Sequence, residues 1–585
     1  MTGKMKMLRW NLISKKKSKR TNMKNISRRK FIRNSAVLGT SLVLLNESSI
    51  GRIFLNPRGF DVVIKNGHVI DGSGKSEFLA DVGITNGKIV EIGNLSSADA
   101  IVLIDGSGLK VTPGFIDIHS HTDTDLILNP KAESKIRQGV TTEVTGQDGF
   151  SWGPLGGPDI DRTLKNFKEE YGEEINWRTL GEFLNDFSSR KFSLNLASML
   201  GLGTIREFVV GYDDRAPSSD EMNKMKIEVV KAVQEGAFGI STGLEYTPGS
   251  FASTDELIEL CKAAPISSRL YATHMRNEDN TVLEAVDEAI RIARESSSRL
   301  LISHLKVSGK SNWHKADAVL EKIDKAIKDG IEVHADRYTY VAYHTGLDAL
   351  FPLWAREGGT EKFIERLGEK DLLKKMKEHA EKKVSNLDGE WDGVLISSVG
   401  KEEFKDYQGS TIKRIADESG RDYFDTAVKI ILDSENRTMM MGFGMEENST
   451  EKILAHPNVM ISSDAGSHAP YPPMNKSIAH PRAYGTFPRA IAKYVRERKI
   501  CSLEEMIKKM TSMPADKLGF NDRGKIEKGK AADVVIFDNN KIQDNAAFTE
   551  PHQYPDGIPY VIVNGELVIN KGEHTSAMPG KVIKS

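Results

Sequence analysis

Hydrophobic and polar residues alternate in two different ways along this chain, and the change between them divides it into regions. Short runs rich in β-branched residues, several ending at Asn-Gly or Gly turns, occur near both ends, at 61–67, 80–84, 88–93, 532–537 and 560–565. Such runs are typical of short strands joined by tight turns. They predict one small β-sandwich domain assembled from residues 59–112 and 521–585.

In the middle of the chain, apolar strand patterns alternate with amphipathic helical patterns. Residues 219–234 illustrate the helical spacing, with apolar side chains at Met222, Met225, Val229, Val230 and Val233. Eight strand candidates occur, at 115–120, 141–146, 193–200, 238–242, 270–274, 300–304, 331–335 and 459–463. Eight strands that alternate with helices predict an α/β fold, a (β/α)8 TIM barrel. An open doubly wound sheet is the alternative.

The spacing of the last strand indicates an insertion into this barrel. Seven of the eight strands fall within residues 113–345, and the barrel is completed by residues 456–520. The residues between, 346–455, are charged and mainly helical in pattern. They predict a helical insertion before the eighth strand.

Charge and cysteine content narrow the possible functions. The 585 residues include 81 basic and 82 acidic ones, and this balance gives no argument for a nucleic-acid partner. Beyond the first 50 residues, no segment is long and apolar enough to span a membrane. The two cysteines, Cys261 and Cys501, are not in a metal-ligand spacing. Any metal site must therefore use His, Asp and Glu.

Residues 1–50 have the pattern of a targeting segment. Arg28 and Arg29 precede Phe31 and a short apolar run at 35–45. This order resembles a twin-arginine export signal, and the run has the length of a signal-peptide core. It predicts an exported, periplasmic protein, although no cleavage site stands out. The alternative is a disordered basic tail with an accidental apolar run.

Histidines and one aspartate stand at the ends of the predicted barrel strands. His119 and His121 follow the first strand, and residues i and i+2 of a strand point to the same side. His274, His304 and Asp464 end the fifth, sixth and eighth strands. Because parallel barrel strands end on one rim, these side chains are expected to converge there. The pattern predicts a metal centre and not a set of buried structural histidines.

Longer motifs surround these residues. They are Gly239-Ile240-Ser241-Thr242-Gly243-Leu244-Glu245-Tyr246, Tyr271-Ala272-Thr273-His274-Met275-Arg276-Asn277-Glu278, Ile302-Ser303-His304-Leu305-Lys306, and His480-Pro481-Arg482 before Gly485-Thr486-Phe487. With them, the chain from residue 61 to the C-terminal strands resembles the N-acyl-D-amino-acid deacylases (D-aminoacylases) of the metal-dependent amidohydrolase superfamily. The resemblance implies hydrolysis of N-acyl-D-amino acids with one or two divalent ions, in the first place zinc.

The resemblance also implies how the ligands are shared between two metal positions. His119, His121 and Asp464 belong to one position, and His274 and His304 belong to the other. Asp464 is also the implied general base, which takes a proton from water and passes it to the departing amine.

Two positions depart from the family pattern. Where relatives carry a metal-binding cysteine after the second strand, this chain has Asp148. A carboxylate can bind and bridge two ions, but it is a harder donor than thiolate, so Mn²⁺ or Co²⁺ are alternatives to zinc. The other reading is that Asp148 only caps its loop. The second position is Leu202, in Gly201-Leu202-Gly203-Thr204, where relatives usually carry a histidine before the glycine or serine. The end of the third strand therefore lacks a polar group that relatives have.

The resemblance implies a substrate with a free carboxylate. Arg276 is the implied partner of that carboxylate, as a planar bidentate donor. Lys306, Tyr246 and Tyr338 are implied as further substrate-binding residues. A dipeptidase or a cyclic-amide hydrolase on the same metal centre is an alternative. A third reading, an exported protein that binds without catalysis, is prompted by the two departures.

Overall fold

The structure is a computed structural model that describes residues 59–265 and 269–585. The predicted export signal at residues 1–50 therefore lies outside the described residues. Within these ranges no helix is long and apolar enough to cross a bilayer.

Strands occur throughout the described ranges. They are β1 (Phe60–Val69), β2 (Phe78–Thr85), β3 (Lys88–Gly93), β4 (Ala100–Asp105), β5 (Lys110–Pro113), β6 (Phe115–Asp117), β7 (Val140–Thr145), β8 (Asn195–Ser198), β9 (Leu200–Gly201), β10 (Ile240–Gly243), β11 (Leu270–His274), β12 (Arg299–Ile302), β13 (Val333–Arg337), β14 (Tyr343–Gly346), β15 (Val394–Ser398), β16 (Met439–Gly442), β17 (Val459–Ile461), β18 (Val534–Phe537), β19 (Tyr560–Val563), β20 (Glu566–Asn570) and β21 (Glu573–His574).

The α-helices lie mainly between the parallel strands and in the insertion. They are α1 (Glu133–Ile136), α2 (Ile160–Tyr171), α3 (Leu180–Ser189), α4 (Leu202–Val209), α5 (Ser219–Glu235), α6 (Thr254–Ala263), α7 (Val282–Ser296), α8 (Ala316–Lys328), α9 (Gly359–Leu367), α10 (Lys370–Val384), α11 (Ile412–Ser419), α12 (Tyr423–Asp433), α13 (Glu447–Ala455), α14 (Arg482–Arg489), α15 (Leu503–Met510) and α16 (Ser512–Leu518). A π-helical segment, Ala490–Glu497, continues α14.

Helix α5 illustrates how the sequence sets the ends of these helices. Ser218 Oγ accepts a hydrogen bond from the backbone N of Glu221, and the Glu221 carboxylate accepts one from the backbone N of Ser218. This capping box satisfies two otherwise unpaired N–H groups. Gly236, with a φ of 120°, ends the helix in a conformation that disfavours other residues. The predicted apolar spacing is met on one face, where Met225, Val229 and Val233 are buried.

Strands from both ends of the chain share one sheet. Its order is β21-β20-β19-β18-β5-β1-β2-β3, and β4 pairs with β1. β18 lies antiparallel to β5, which joins the C-terminal strands to the N-terminal ones. An apolar cluster that includes Ile64, Val82, Val534 and Ile562 packs within it. All nine strands are connected by hydrogen bonds in a single sheet, so the two-sheet sandwich form stays a prediction.

The eight predicted parallel strands are all present, with ends shifted by a few residues. One parallel sheet has the order β6-β7-β8 and the other has the order β9-β10-β11-β12-β13-β17. Only Met199 separates β8 from β9 along the chain. At the opposite edges, Ser120 forms a parallel bridge with Ala465, just beyond β6 and β17. The first and last parallel strands therefore meet at their carboxyl ends.

The insertion is mainly helical, as predicted, but two details differ from the prediction. It contains an antiparallel sheet, in which β14, β16 and β15 pair beside α9 to α12. It also ends earlier than residue 455. Its own apolar core runs from Leu347 to Met440, whereas Ile453 and Leu454 of α13 are buried in the core that the parallel strands share. Short apolar strands inside a charged region give too weak a periodicity to be recognised.

Candidate metal centre

Six metal-binding side chains meet at the carboxyl ends of the parallel strands. They are His119, His121, Asp148, His274, His304 and Asp464. Each follows or ends one of these strands, as the strand-end pattern predicted for the four histidines and Asp464 and as the family resemblance implied for Asp148. Their side-chain donor atoms fall into two groups that share one carboxylate.

The first ligand group consists of His119, His121, Asp148 and Asp464. The Nε2 atoms of the two histidines are 3.3 Å apart, and that of His121 is 3.0 Å from Asp464 Oδ1. Asp148 Oδ2 is 3.5 Å from His119 Nε2 and 3.4 Å from His121 Nε2. These four donors surround one point.

The second ligand group consists of Asp148, His274 and His304. His274 Nδ1 is 2.9 Å from His304 Nε2. Asp148 Oδ2 lies 3.4 Å from His304 Nε2 and 4.0 Å from His274 Nδ1. The same carboxylate oxygen thus faces both groups, which fits a ligand that bridges two ions.

Asp148 does not cap its loop. Its buried Oδ1 has no hydrogen-bond partner among the described residues, whereas a capping carboxylate accepts from backbone N–H groups. A buried carboxylate oxygen without a donor is costly unless a cation compensates it. The site therefore fits a divalent ion at Asp148.

Three of the ligands have an unusual backbone conformation. Asp148, His304 and Asp464 have φ values of 53°, 35° and 50°. Non-glycine residues are uncommon in this left-handed region and cost about 1–3 kcal/mol each, so they mark positions that the surrounding structure holds in place. The next residue, Gly149, has a φ of 80°, and a Cβ there would lie 2.7 Å from the backbone N of Gly243.

The electrostatics of the first ligand group favour positive charge. Burial alone would lower the pKa of His121, but Asp148 and Asp464 outweigh it and raise that pKa to about 9. Burial likewise opposes protonation of His119, yet Asp148 and Asp336 raise its pKa well above the usual value. Two converging carboxylates thus stabilise a cation at this point.

The second ligand group contains a histidine held in its neutral form. Burial lowers the pKa of His274 to about 4, although Glu278 acts in the opposite direction. A neutral imidazole is the form that binds a metal.

Glu278 and Lys306 orient the imidazoles of the second ligand group from behind. Lys306 Nζ donates to Glu278 Oε1 at 2.6 Å and lies 2.7 Å from His304 Nδ1. Glu278 Oε2 is 3.8 Å from His274 Nε2. Outer partners of this kind fix ligand orientation and tune metal affinity. Sequence reasoning did not assign Glu278, although it closes the motif that contains His274.

Asp336 was also missed. It lies near the end of β13, and its Oδ1 accepts hydrogen bonds from the backbone N of His304 at 2.9 Å and from Ser462 Oγ at 2.6 Å. The same oxygen is 3.4 Å from His119 Nδ1. Asp336 therefore contacts a residue of each ligand group. An acidic residue near the end of a parallel strand was the available signal.

Asp464 is held in place by Arg482, which was noted in the sequence only as part of a motif. Arg482 Nη1 donates to Asp464 Oδ2 at 2.6 Å, and both side chains are buried. Although burial alone would raise the pKa of Asp464, Arg482 and the nearby imidazoles hold it well below the usual value. The carboxylate is therefore ionised, with one oxygen toward the histidines and the other toward Arg482.

A cavity of about 860 Å³ opens onto both ligand groups. Tyr246, Lys306 and Arg482 line it close to the ligands, and the Tyr246 ring centroid is 4.7 Å from that of His274. Further walls come from α2 and from the insertion, with Arg162, Asn166, Tyr343, His344, Arg356, Lys383, Ser397 and Arg437. The insertion thus forms one side of the cavity.

The structure corrects the role predicted for Arg276. This side chain is not on the cavity wall. Its Nε lies 2.9 Å from Glu288 Oε2, and its two terminal nitrogens donate to the carbonyl oxygens of Ser250 and Ala252 at 2.8 Å each. With its donors used in this way, Arg276 fastens a loop away from the cavity wall, and this geometry does not support the predicted carboxylate-binding role.

Tyr338 also lies away from the cavity wall. Its ring is stacked against the guanidinium groups of Arg337, at 4.3 Å, and Arg482, at 4.6 Å. Tyr338 therefore packs against Arg482, the residue that holds Asp464. Leu202 is buried at the start of α4 and supplies no polar group, as predicted.

We expect the Arg276→Ala substitution to lower stability and to leave substrate binding unchanged. Its loss leaves two carbonyl groups without their donor and removes the cation that pairs with Glu288, which costs about 1–3 kcal/mol in free energy of unfolding. Chemical denaturation and steady-state kinetics measure the two effects. A large rise in KM with unchanged stability would restore the carboxylate-binding role.

Comparisons with known proteins agree with this geometry. Residues 401–569 match the model of the Amidohydrolase family. The chain is 32% identical to the D-aminoacylase of Alcaligenes xylosoxydans xylosoxydans over 524 residues, which cover 90% of this chain and 97% of that protein. It is 31% identical to the N-acyl-D-aspartate deacylase of the same organism, over 90% of this chain and 95% of the relative.

Solved structures give the same result. The N-acyl-D-glutamate deacylase from Bordetella bronchiseptica, complexed with zinc and a phosphonate inhibitor, has a TM-score of 0.76 and 30% identity, over 90% of this chain and all of that one. A D-aminoacylase studied for its binuclear metal centre has a TM-score of 0.74 and 31% identity over the same shares. The L-hydantoinase from Arthrobacter aurescens, with a TM-score of 0.50 and 18% identity, shares the fold alone.

Proposed function

The chain belongs to the D-aminoacylase family of metal-dependent amidohydrolases, and on that premise we propose that it hydrolyses the amide bond of N-acyl-D-amino acids. The products are a carboxylate and a free D-amino acid. The observation that carries this proposal is the pair of ligand groups that share Asp148 and open into one cavity with the ionised Asp464.

We propose that the two parallel sheets form one closed (β/α)8 barrel and that the nine-stranded sheet is its small β domain. Closure is supported at both seams. β8 and β9 are separated by one residue, and Ser120 bridges Ala465. A closed barrel would also explain why ligands from five different strands point to one rim.

The donor set of imidazole and carboxylate groups fits zinc, and also Mn²⁺ or Co²⁺. His119, His121, Asp148 and Asp464 would hold one ion, and Asp148, His274 and His304 a second. A bound divalent ion supplies a nucleophile from water near neutral pH and polarises the scissile carbonyl.

Asp464 is the proposed proton carrier. Its ionised Oδ1 takes a proton from the attacking water and delivers it to the departing amine, as a general base and then a general acid. Arg482 keeps the carboxylate ionised before the reaction and oriented throughout it. No serine or cysteine nucleophile is required.

The substrate carboxylate needs a different partner from the one first predicted. Arg482 and Lys306 are the basic residues on the cavity wall beside the ligands. Arg482 uses Nη1 for Asp464, while its buried Nε has no partner among the described residues. A planar guanidinium has donors to spare for a second carboxylate. We therefore assign the α-carboxylate to Arg482, with help from Lys306.

One alternative substrate class is favoured by a specific observation. The cavity, at about 860 Å³, is near the upper end of the range for small-molecule sites and far larger than an N-acetyl amino acid. Its outer wall is polar, with Arg162, Asn166, Ser397 and Arg437. A dipeptide or longer peptide that ends in a D-residue presents the same scissile bond and fits this space. Nothing comparable favours cyclic amides, and six convergent ligands disfavour a protein that only binds.

A substrate panel on metal-reconstituted protein tests the proposal. It contains N-acetyl-D-amino acids, dipeptides with a C-terminal D-residue, hydantoins, and the L-enantiomers as matched controls. We expect release of free D-amino acids from linear substrates and no activity on hydantoins. Preference for hydantoins or for L-substrates would reject the proposed function, and activity confined to the dipeptides would establish the alternative.

We also propose export by the twin-arginine route, on the basis of Arg28 and Arg29 before the apolar run. Replacing both by lysine should retain the protein in the cytoplasm, because this route reads paired arginines. Cell fractionation measures the distribution, with Arg20→Lys as the control. Undiminished export of the double variant would remove the claim.

A further inference from the structure

A buried ammonium group lies beside the strand ends that carry the first ligand group. Lys135, on the short helix α1, has no exposed surface. Its Nζ is 2.9 Å from Asp117 Oδ2 and 2.8 Å from Glu143 Oε1. Both carboxylates are also fully buried, Asp117 on β6 and Glu143 on β7.

The same ammonium group contacts the residues that flank the ligands. Lys135 Nζ donates to Ser463 Oγ and to the carbonyl oxygen of Ala465, both at 2.8 Å. These two residues stand on either side of the catalytic aspartate. Nζ also lies 3.0 Å from the Oγ of Ser120, the residue between the two histidines of the first ligand group. One side chain thus contacts two of the three chain segments that carry this group, those of His119 with His121 and of Asp464.

Asp117 completes the connection. Its Oδ1 accepts a hydrogen bond from the backbone N of Ser463 at 2.9 Å, while its own strand leads directly into His119. Ser120 Oγ lies 3.1 Å from Glu143 Oε1. The carboxyl ends of β6, β7 and β17 are therefore joined through three buried charges.

A cluster of buried charges contributes little net stability to a fold. Burying charges carries a desolvation cost, and apolar side chains of similar volume usually stabilise a core as well or better. Lys135 instead donates hydrogen bonds to Ser463 and Ala465, the two residues that flank Asp464. A second buried pair, Arg206 with Glu256 at 2.6 Å, contacts none of these ligand-bearing segments.

We propose that Lys135 is a positioning residue for metal binding. By joining the segments before and after the ligands, it sets the separation of Asp464 from His119 and His121, and so the affinity of the first ligand group. Lys135 does not touch the substrate or the metal. This inference rests on the proposed metal centre.

The test compares two charge-matched double variants of the full chain. Lys135→Met with Glu143→Gln removes one cation and one anion from the cluster. Arg206→Met with Glu256→Gln makes the same change at the distant pair. Each is combined with His304→Ala, which leaves the first ligand group, or with His121→Ala, which leaves the second. Calorimetric titration of Co²⁺ into metal-free protein then gives the dissociation constant of each group.

We expect the Lys135 variant to weaken Co²⁺ binding by about 10-fold or more at the first ligand group, the size found for outer partners of metal ligands. Binding at the second group should change little, and the Arg206 variant should change neither. If the double variant does not fold, Glu143→Gln alone should weaken the first group by a smaller factor.

The outcomes separate the two proposals. Native protein that binds no Co²⁺ would reject the metal centre itself. Native protein that binds Co²⁺, with a Lys135 variant that binds equally well at the first group, would overturn the positioning role. So would equal weakening at both groups, or by the Arg206 variant, because that is the behaviour of a merely structural residue.

Discussion

Replacing Asp464 with asparagine is expected to lower kcat by about 10²-fold or more, because the proton carrier is lost while the shape of the side chain is kept. The amide can still accept from Arg482 through its oxygen. Metal at His274 and His304 should remain bound, since Asp464 does not belong to the second ligand group. Steady-state kinetics together with metal analysis of the purified variant measure both effects.

The control for this variant is Asp544→Asn. Asp544 also pairs with an arginine, with its Oδ2 3.0 Å from Arg489 Nη1, but it is not on the cavity wall. It should retain nearly full kcat. If Asp464→Asn loses all metal, the residue is chiefly a ligand and its role as a general base is rejected.

Replacing Asp148 with alanine is expected to weaken both metal positions by about 10-fold or more, because one oxygen serves both ligand groups. A change to cysteine should tighten zinc in particular, since thiolate and zinc are both soft. Native protein should lose its metal to chelators more readily than the cysteine variant, and Mn²⁺ or Co²⁺ should restore its activity. Titration of each ion into metal-free protein of the three forms decides the matter.

Asp123→Ala serves as a control for the loss of a nearby buried carboxylate. Asp123 lies in neither ligand group, so its removal should leave both metal affinities close to native. Equal affinities in native, alanine and cysteine forms at position 148 would exclude Asp148 from the metal. The first position would then depend on the two histidines and Asp464.

The convergence of the candidate metal ligands was predictable because strand periodicity and strand-end chemistry are local properties. His119 and His121 share a side of their strand whatever the rest of the fold does. The alternation of strands and helices then predicts that His274, His304 and Asp464 reach the same rim. For Asp148, the sequence showed only a carboxylate where relatives carry a metal-binding cysteine. Its position between the two ligand groups became visible only in the structure.

Other assignments failed because they depend on contacts between distant segments. The motif around His274 could not show that Arg276 pairs with Glu288 and two carbonyl groups. Nor could it show that Arg482 reaches Asp464, since the two are 18 residues apart on a path without regular periodicity. Lys135 has no local pattern at all, and its role emerges only where three strand ends meet.

The insertion shows a similar limit. Its mainly helical character was predicted from the charged, helical pattern of the region, but β14 pairs with β16 across almost a hundred residues. Pairing over such a distance leaves no trace in local sequence beyond two short apolar runs.

The most direct test of the proposed function is one measurement on matched enantiomers. N-acetyl-D- and N-acetyl-L-amino acids are incubated with native protein, with protein stripped by a chelator, and with stripped protein after a divalent ion is restored. Free amino acid released per minute is recorded for each. A metal-dependent N-acyl-D-amino-acid deacylase should release amino acid from the D-enantiomer alone, lose this activity on stripping, and recover it with the ion. Equal release from both enantiomers, or release that survives complete metal removal, would contradict it.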